Sequence, residues 1–151
     1  MNDRFLTLVE SLEPKFQELL ALHPVRYSSL PMQLPSRAIY LFSEAGVHLY
    51  VGRTNRLRER LRGHCTPGAT HYTATFAFRI AREDTGMTRA EGSRANIVND
   101  PTFGPAFAEA RRRVANMDIR FVEEIDPVKQ ALLEIYAATA LDTPYNDFEN
   151  H

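Results

Sequence analysis

The stretch AIYLFSEAGVHLYVGRTNRLRERLRGH, residues 38–64, decides the fold. It contains two short apolar runs, residues 38–42 and 47–52, which are separated by the polar and glycine residues 43–46. Two such runs around turn-forming residues are typical of a β-hairpin. The second strand is expected to end at Gly52, and either Thr54 or Asn55 is suited to capping a helix that follows.

The arginine-dense end of this stretch has the spacing of a helix. Leu57 and Leu61 are four residues apart, which places them on one helix face, and Arg56, Arg60 and His64 are four apart on a neighbouring face. Each strand of the hairpin carries a tyrosine. Helical arginines beside strand tyrosines are well suited to holding a phosphate group.

The composition indicates an ordinary soluble domain. The chain has 151 residues, 44% of them hydrophobic and 25% charged, which is enough for one domain with a buried core. No apolar run is long enough to span a bilayer, and the N-terminal residues lack a basic segment followed by an apolar one. The single cysteine, Cys65, excludes an internal disulfide framework. We therefore expect a cytoplasmic protein without a membrane partner.

Charge is distributed unevenly along the chain. Residues 50–120 contain 13 arginines and 7 acidic residues, whereas residues 121–151 contain one lysine and 7 acidic residues. The planar guanidinium group suits bidentate phosphate contact better than an ammonium does. A solvated helix face would also explain such a run, so the asymmetry gives modest support for a phosphate-bearing partner.

The residues before the hairpin predict a helix and a linker. Apolar residues recur at helical spacing over 3–22, and prolines and serines follow over 24–36. We expect residues 1–36 to pack the apolar stripe of the helix on a core domain of residues 37–151. A dimer-forming helix is the alternative.

The residues after the hairpin predict further helices and one strand. Residues 73–83 are ambiguous between strand and helix, and their alanine content favours helix. Helices are expected over 87–98 and 102–115, a strand over 118–125, and a last helix from Asp126-Pro127 to about Leu141. The predicted fold is α/β: a small central sheet of the hairpin and the later strand, flanked by helices, with a helical insertion at about 70–115.

One acidic residue in the last helix stands out. Glu134 is surrounded by apolar residues over 132–137, where an unpaired buried carboxylate would be costly. Either Glu134 lies on the solvent face, or it is a ligand for a hard cation such as Mg²⁺ or Mn²⁺.

Taken in chain order, these features resemble the GIY-YIG nuclease superfamily. The resemblance covers residues 36–64 and 117–146. The matching elements are Ala38-Ile39-Tyr40, Tyr50-Val51-Gly52, Arg60 with His64, Glu134, and Pro144-Tyr145-Asn146. The chain departs from the motif at Ala38, which replaces its first glycine, and at Val51, which replaces an isoleucine.

The resemblance implies a divalent-metal-dependent endonuclease that hydrolyses DNA phosphodiester bonds, with RNA left open as a substrate. It implies that Tyr40 takes the proton from the attacking water and that Tyr50 positions this water or the scissile phosphate. Arg60 would neutralise charge on the phosphorus centre.

The remaining site residues follow from the same resemblance. His64 would assist the tyrosine or contact phosphate, Glu134 would be the lone protein ligand of Mg²⁺ or Mn²⁺, and Asn146 would brace the site. No paired ligand spacing such as CxxC accompanies His64 and Cys65, so zinc is not expected.

Nucleic-acid contacts are expected from Arg53, Arg56, His71 and Arg79. Two other functions remain open. One is a catalytically inactive GIY-YIG module that binds nucleic acid or a protein partner, and the other is a nuclease that depends on a partner subunit for targeting. No zinc finger or helix-turn-helix pattern is present to read a base sequence.

Overall fold

The structure is a computed structural model that describes residues 1–87 and 94–150. It divides into two compact units, which are considered separately. The sheet unit consists of residues 1–58 and 118–150, and the helical unit consists of residues 59–117 without 88–93. The N-terminal helices thus belong to the same unit as the sheet, and the second unit begins earlier than the insertion expected at about residue 70.

The sheet unit is built on a three-stranded antiparallel sheet flanked by helices, an α/β arrangement. The strands are β1 (Ala38–Glu44), β2 (Val47–Thr54) and β3 (Asp118–Glu123), in the order β2-β1-β3. Ala45 and Gly46 join β1 to β2, and both have positive φ, at 50° and 79°. Two such residues match the right-handed twist of a hairpin. The predicted hairpin and later strand are confirmed.

The N-terminal segment forms two helices, and the single helix predicted over 3–22 is wrong. They are α1 (Asp3–Glu10) and α2 (Leu12–Ala21). Pro14 explains the break, because it lacks an N–H and its ring would clash with the carbonyl of Glu10 in a continuous helix. It is tolerated in the first turn of α2. Only α2 buries apolar side chains, whereas none of the residues of α1 is buried.

The core of the sheet unit lies on one face of the sheet. Helices α2 and α7 (Pro127–Leu141) pack there against Ile39, Leu41, Val51 and Val122. Asp126 begins α7 as its N-cap: its carboxylate accepts hydrogen bonds at 2.9 Å from two backbone N–H groups of the first turn. The last helix is therefore confirmed over the predicted residues.

The linker before the hairpin is held against the sheet. Val25 and Ile119 exchange two backbone hydrogen bonds of 2.9 and 2.7 Å, so the linker lies alongside β3. A short 3₁₀ helix follows at Tyr27–Ser29.

The helical unit contains α4 (Thr75–Thr85), α5 (Arg94–Ile97) and α6 (Phe103–Ala115), and most of α3 (Leu57–Cys65) lies in it. The helix favoured over 73–83 and the helix over 102–115 are confirmed. Of the helix predicted over 87–98, residues 88–93 lie outside the described residues. Helices α4 and α6 pack through aromatic rings, with Phe78 5.0 Å from Phe103 and 5.8 Å from Phe107 between ring centroids.

A membrane crossing would need a helix longer and more apolar than any in residues 1–87 and 94–150.

Candidate active site

The two predicted tyrosines lie side by side on one face of the sheet. Tyr40 is paired with Gly52 and Phe42 with Tyr50 across the β1–β2 ladder. The ring centroids of Tyr40 and Tyr50 are 6.3 Å apart. Both side chains are buried, with 1% of Tyr40 and 8% of Tyr50 exposed. The phenols therefore do not line an open cleft in this conformation.

Gly52 is needed for the position of the Tyr40 ring. A Cβ atom at Gly52 would overlap Cζ and the hydroxyl oxygen of Tyr40. The glycine thus lets the tyrosine of the central strand lie across the backbone of β2. Close approach of a side chain to the backbone is a reason for glycine within a strand.

Glu134 is paired with an arginine at the end of β2. The Nε of Arg53 donates a hydrogen bond of 2.8 Å to Oε2 of Glu134. The side chain of Glu134 is 22% exposed and that of Arg53 is 48% exposed. Glu134 is thus neither a free solvent-face residue nor a buried unpaired charge. An ion pair at this exposure holds the carboxylate in place while contributing little to stability.

The tyrosines and Glu134 approach β2 from different faces of the sheet. Residues alternate between faces along a strand, so Tyr40 and Tyr50 lie on the face opposite Ile39 and Val51. Helix α7, which carries Glu134, packs on the Ile39 and Val51 face. The two phenols and the carboxylate therefore do not share one face of the sheet.

Asn146 is hydrogen-bonded to the outer edge of β2. Its Oδ1 accepts from the backbone N–H of Val51 at 2.9 Å, and its Nδ2 donates to the carbonyl of Val51 at 2.7 Å. The hydroxyl of Thr143 donates to the same Oδ1 at 2.7 Å. The asparagine therefore fixes the residue that lies between Tyr50 and Gly52.

Arg60 belongs to the helical unit and is engaged there. Its Nη1 donates to the carbonyl of Thr73 at 3.2 Å, and its Nη2 donates to the hydroxyl of Thr75 at 2.8 Å. These bonds join α3 to the start of α4. Arg60 as a whole is partly buried.

His64 is fully buried in this structure. Burial, and secondarily the charges of Arg60 and Arg79, hold the pKa of His64 well below its ordinary value. The imidazole is therefore neutral at neutral pH. A side chain without exposed surface cannot contact a phosphate directly in this conformation, so any contribution of His64 would act through a neighbouring group.

The four residues expected to contact nucleic acid differ in accessibility. Arg56 is exposed, Arg53 is half exposed and paired with Glu134, and His71 and Arg79 are partly buried. Arg53 is the second-last residue of β2, and Arg56 lies two residues after the end of this strand.

The metal site implied by the sequence has one protein ligand, the carboxylate of Glu134. No group of three or more histidine, cysteine or acidic side chains that could hold a metal occurs in residues 1–87 and 94–150. A single protein carboxylate can serve Mg²⁺, which completes its coordination with water and phosphate oxygens. Burial raises the pKa of the Cys65 thiol to about 12, so this residue is not a thiolate ligand.

The pairing of Arg53 with Glu134 was not predicted. The two residues are 81 positions apart, and no local pattern marks such a pair. The sequence also gave no reason for Gly52 beyond strand termination. Alternation along the hairpin could have placed both tyrosines on the face opposite Val51.

Comparison with known proteins gave no match: no family model, no curated protein and no solved structure matches the chain.

Proposed function

We propose that the protein is a divalent-metal-dependent endonuclease that hydrolyses DNA phosphodiester bonds with a site of the GIY-YIG type. The observation that carries the proposal is the set of contacts made by Tyr50–Arg53. Across these four residues, Tyr50 lies beside Tyr40, Val51 binds Asn146, Gly52 receives the Tyr40 ring, and Arg53 binds Glu134. Residues from distant parts of the chain thus meet on one short segment.

Each side chain has a defined part in the proposed reaction. Tyr40, in its phenolate form, accepts the proton of the attacking water and becomes the neutral phenol, and Tyr50 orients that water or the phosphate.

Glu134 would hold Mg²⁺ or Mn²⁺, which would supply charge neutralisation for the departing oxygen. Arg53 orients the Glu134 carboxylate, and Asn146 holds the β2 backbone between the tyrosines and this carboxylate. The exposed Arg56 contributes to phosphate contact along the DNA backbone.

The proposal requires the tyrosines to become accessible when DNA binds. Tyr40 is 1% exposed, so its phenolate cannot receive a proton from a water beside bound DNA without a rearrangement. Glu134 must also act around the edge of β2, because its helix packs on the other face. Catalysis therefore requires both that Tyr40 becomes accessible and that Glu134 reaches around the edge of β2.

The same observations favour a second candidate, an inactive GIY-YIG module that binds nucleic acid or a protein partner. In such a module Tyr40 and Tyr50 are packing residues, and Glu134 serves as the ion-pair partner of Arg53. Buried strand tyrosines are ordinarily structural. This candidate needs no rearrangement.

Nicking of supercoiled plasmid by the purified chain, with Mg²⁺ or Mn²⁺, distinguishes the two. For the nuclease, we expect cleavage by the wild type and its loss in Glu134→Gln and Tyr40→Phe. Matched controls are Glu123→Gln, at an exposed acid on β3, and Tyr27→Phe, and both should cleave like the wild type. Nicking that persists in Glu134→Gln contradicts the proposed site.

Binding measurements complete the test. Salt-sensitive DNA binding without cleavage under either metal supports the inactive module, since phosphate contacts release counterions. Cleavage that appears only after a partner subunit is added supports the nuclease that depends on another chain for targeting.

A further inference from the structure

A second candidate site lies within the helical unit, in a pocket of about 310 Å³. The loop of residues 68–71 forms one side, and Gly104, Phe107 and Arg111 of α6 form the other, together with Val98. This volume is at the lower end of the range for small-molecule sites, roughly 300–1,000 Å³. None of the residues assigned to phosphodiester hydrolysis lines it.

The orientation of Arg111 is fixed by two contacts. Its Nη1 donates a hydrogen bond of 2.6 Å to the carbonyl of Ala69. Its guanidinium carbon lies 4.4 Å from the ring centroid of Phe107, one helical turn earlier. A guanidinium group held by its face and by one nitrogen presents the edge formed by Nε and Nη2. That edge carries two parallel N–H groups, the geometry that binds an oxyanion bidentately.

Two polar atoms at this pocket lack partners. The Nε of Arg111 and the Nε2 of His71 are buried and have no hydrogen-bond partner among the residues that the structure describes. Neither atom has appreciable exposed surface in this conformation, so a ligand reaches them only when the loop of residues 68–71 moves aside. Such atoms are rare in folded proteins, and a bound ion, ligand or ordered water is a common explanation. Burial also lowers the pKa of Arg111, with a smaller contribution from the charge of Arg112. The group nevertheless stays protonated, because arginine titrates far above neutral pH.

We infer that this pocket binds a small molecule through a phosphate group, with Arg111 as the principal partner and His71 as the second. The two side chains come from different elements on opposite sides of the pocket. A tetrahedral phosphate can accept two hydrogen bonds in the guanidinium plane and still present an oxygen outside it to His71. A planar carboxylate has no third oxygen. His71 donates in the tautomer that is protonated at Nε2.

The apolar part of the pocket limits what is attached to the phosphate. Phe107 and Val98 line it. Beside the pocket, the exposed ring of Tyr72 lies against His71 at a tilt of 40°, with centroids 4.0 Å apart. An aromatic or otherwise apolar group can pack there, as the base of a nucleoside monophosphate would. The inference goes beyond phosphodiester hydrolysis and stands whether or not the chain cleaves DNA.

Titration followed by amide chemical shifts tests the inference. Inorganic phosphate and thymidine monophosphate should each cause saturable shifts at the amides of Gly68 and Gly104. Arg111→Gln should weaken phosphate binding about 10-fold or more, because a bidentate charge-assisted contact is lost. Arg112→Gln is the matched control: Arg112 is exposed, pairs with Glu109 on the same helix, and should leave the affinity unchanged.

A second variant separates loss of the ligand from loss of the fold. A Cβ at Gly104 meets no atom within 4 Å, and Gly104 lies inside a helix. Gly104→Leu gains helix propensity but places a Cβ before Pro105, so it should keep the fold with a melting temperature close to that of the wild type. It should nevertheless abolish binding, because the new side chain extends from the pocket wall.

Three results would overturn the inference. The first is that the wild type shows no saturable phosphate binding. The second is that neither Arg111→Gln nor Gly104→Leu weakens phosphate binding, and the third is that acetate binds as tightly as phosphate. Oligonucleotides with and without a 5′-phosphate show which kind of molecule carries the phosphate group that binds in this pocket. A requirement for the 5′-phosphate identifies a nucleic-acid end, whereas binding of thymidine monophosphate alone identifies a free small ligand.

Discussion

Replacing Gly52 by alanine should destabilise the sheet unit through one identifiable contact. The added Cβ would overlap the ring of Tyr40. Because Tyr40 is 1% exposed in the central strand, its ring cannot simply move into solvent. Overpacking of this kind costs about 1–3 kcal/mol. Removing a strand glycine returns about 0.5–1 kcal/mol of backbone entropy. The net loss should therefore be roughly 1–2 kcal/mol.

Urea and thermal unfolding followed by circular dichroism measure this loss. Each kcal/mol should lower the melting temperature by about 2–4 °C in a chain of this size. The matched substitution is Gly104→Ala, where a Cβ meets no neighbouring atom. It should change stability by less than Gly52→Ala does, because the gain in helix propensity is opposed by the crowding of the new Cβ against Pro105.

A double-mutant cycle tests whether Tyr40 is the cause. In a Tyr40→Ala background the ring is absent, so adding Gly52→Ala should cost nothing or stabilise the protein. The coupling between the two positions should then be about 1–3 kcal/mol. If Gly52→Ala is as destabilising without the ring as with it, the explanation of Gly52 is refuted.

Three further predictions follow from the site. Asn146→Ala should reduce the free energy of unfolding by about 1–3 kcal/mol, because the backbone N–H and carbonyl of Val51 lose their partner; urea unfolding measures this. Arg53→Gln should change that free energy by less than about 1 kcal/mol, since the pair with Glu134 is partly exposed, but should reduce plasmid nicking. His64 stays neutral when folded because its pKa is depressed, whereas in the unfolded chain it takes up a proton below about pH 6.5. Its contribution to stability is thus complete above about pH 6.5 and falls with decreasing pH, by up to about 1.4 kcal/mol per unit, and His64→Gln should flatten this slope in urea unfolding from pH 7.5 to 5.5.

Each of these predictions has a control on the same chain. Asn150→Ala replaces an exposed asparagine and should not change stability. Arg37→Gln, at an exposed arginine before β1, should not reduce nicking. For the pH series, His48→Gln is a comparison: burial and Arg120 also lower the pKa of His48, so this substitution should flatten the slope by a smaller amount than His64→Gln does. A slope that His64→Gln leaves unchanged would contradict the assignment to His64.

Features that depend on neighbouring residues could be predicted from the sequence. The hairpin follows from two β-prone runs around Ala45-Gly46, and the start of α7 follows from Asp126-Pro127. The prediction of one N-terminal helix instead of two also has a local cause, because Pro14 predicts a break in a continuous helix. The exposure of α1 could not be predicted, since an apolar stripe does not show which partner covers it.

The candidate site was only partly predictable for a physical reason. Spacing and residue type bring out Tyr40, Tyr50 and Glu134 as candidates, but the face each occupies depends on how α7 packs on the sheet. Small residues such as Ala137 bring this helix close to the Val51 face, and no motif encodes that choice. Burial of the phenols likewise depends on residues far away in the chain.

Both outer strands of the sheet have backbone groups engaged by other segments of the same molecule. Asn146 and Tyr145 bind Val51 and Leu49 of β2, and Val25 binds Ile119 of β3. Unsatisfied strand borders are templates on which a second polypeptide can add and begin aggregation. The coil before the hairpin and the coil after the last helix therefore block the pairing of a second chain with the outer strands. At β2 this protection depends on Asn146, the residue that also fixes the backbone of the candidate active site.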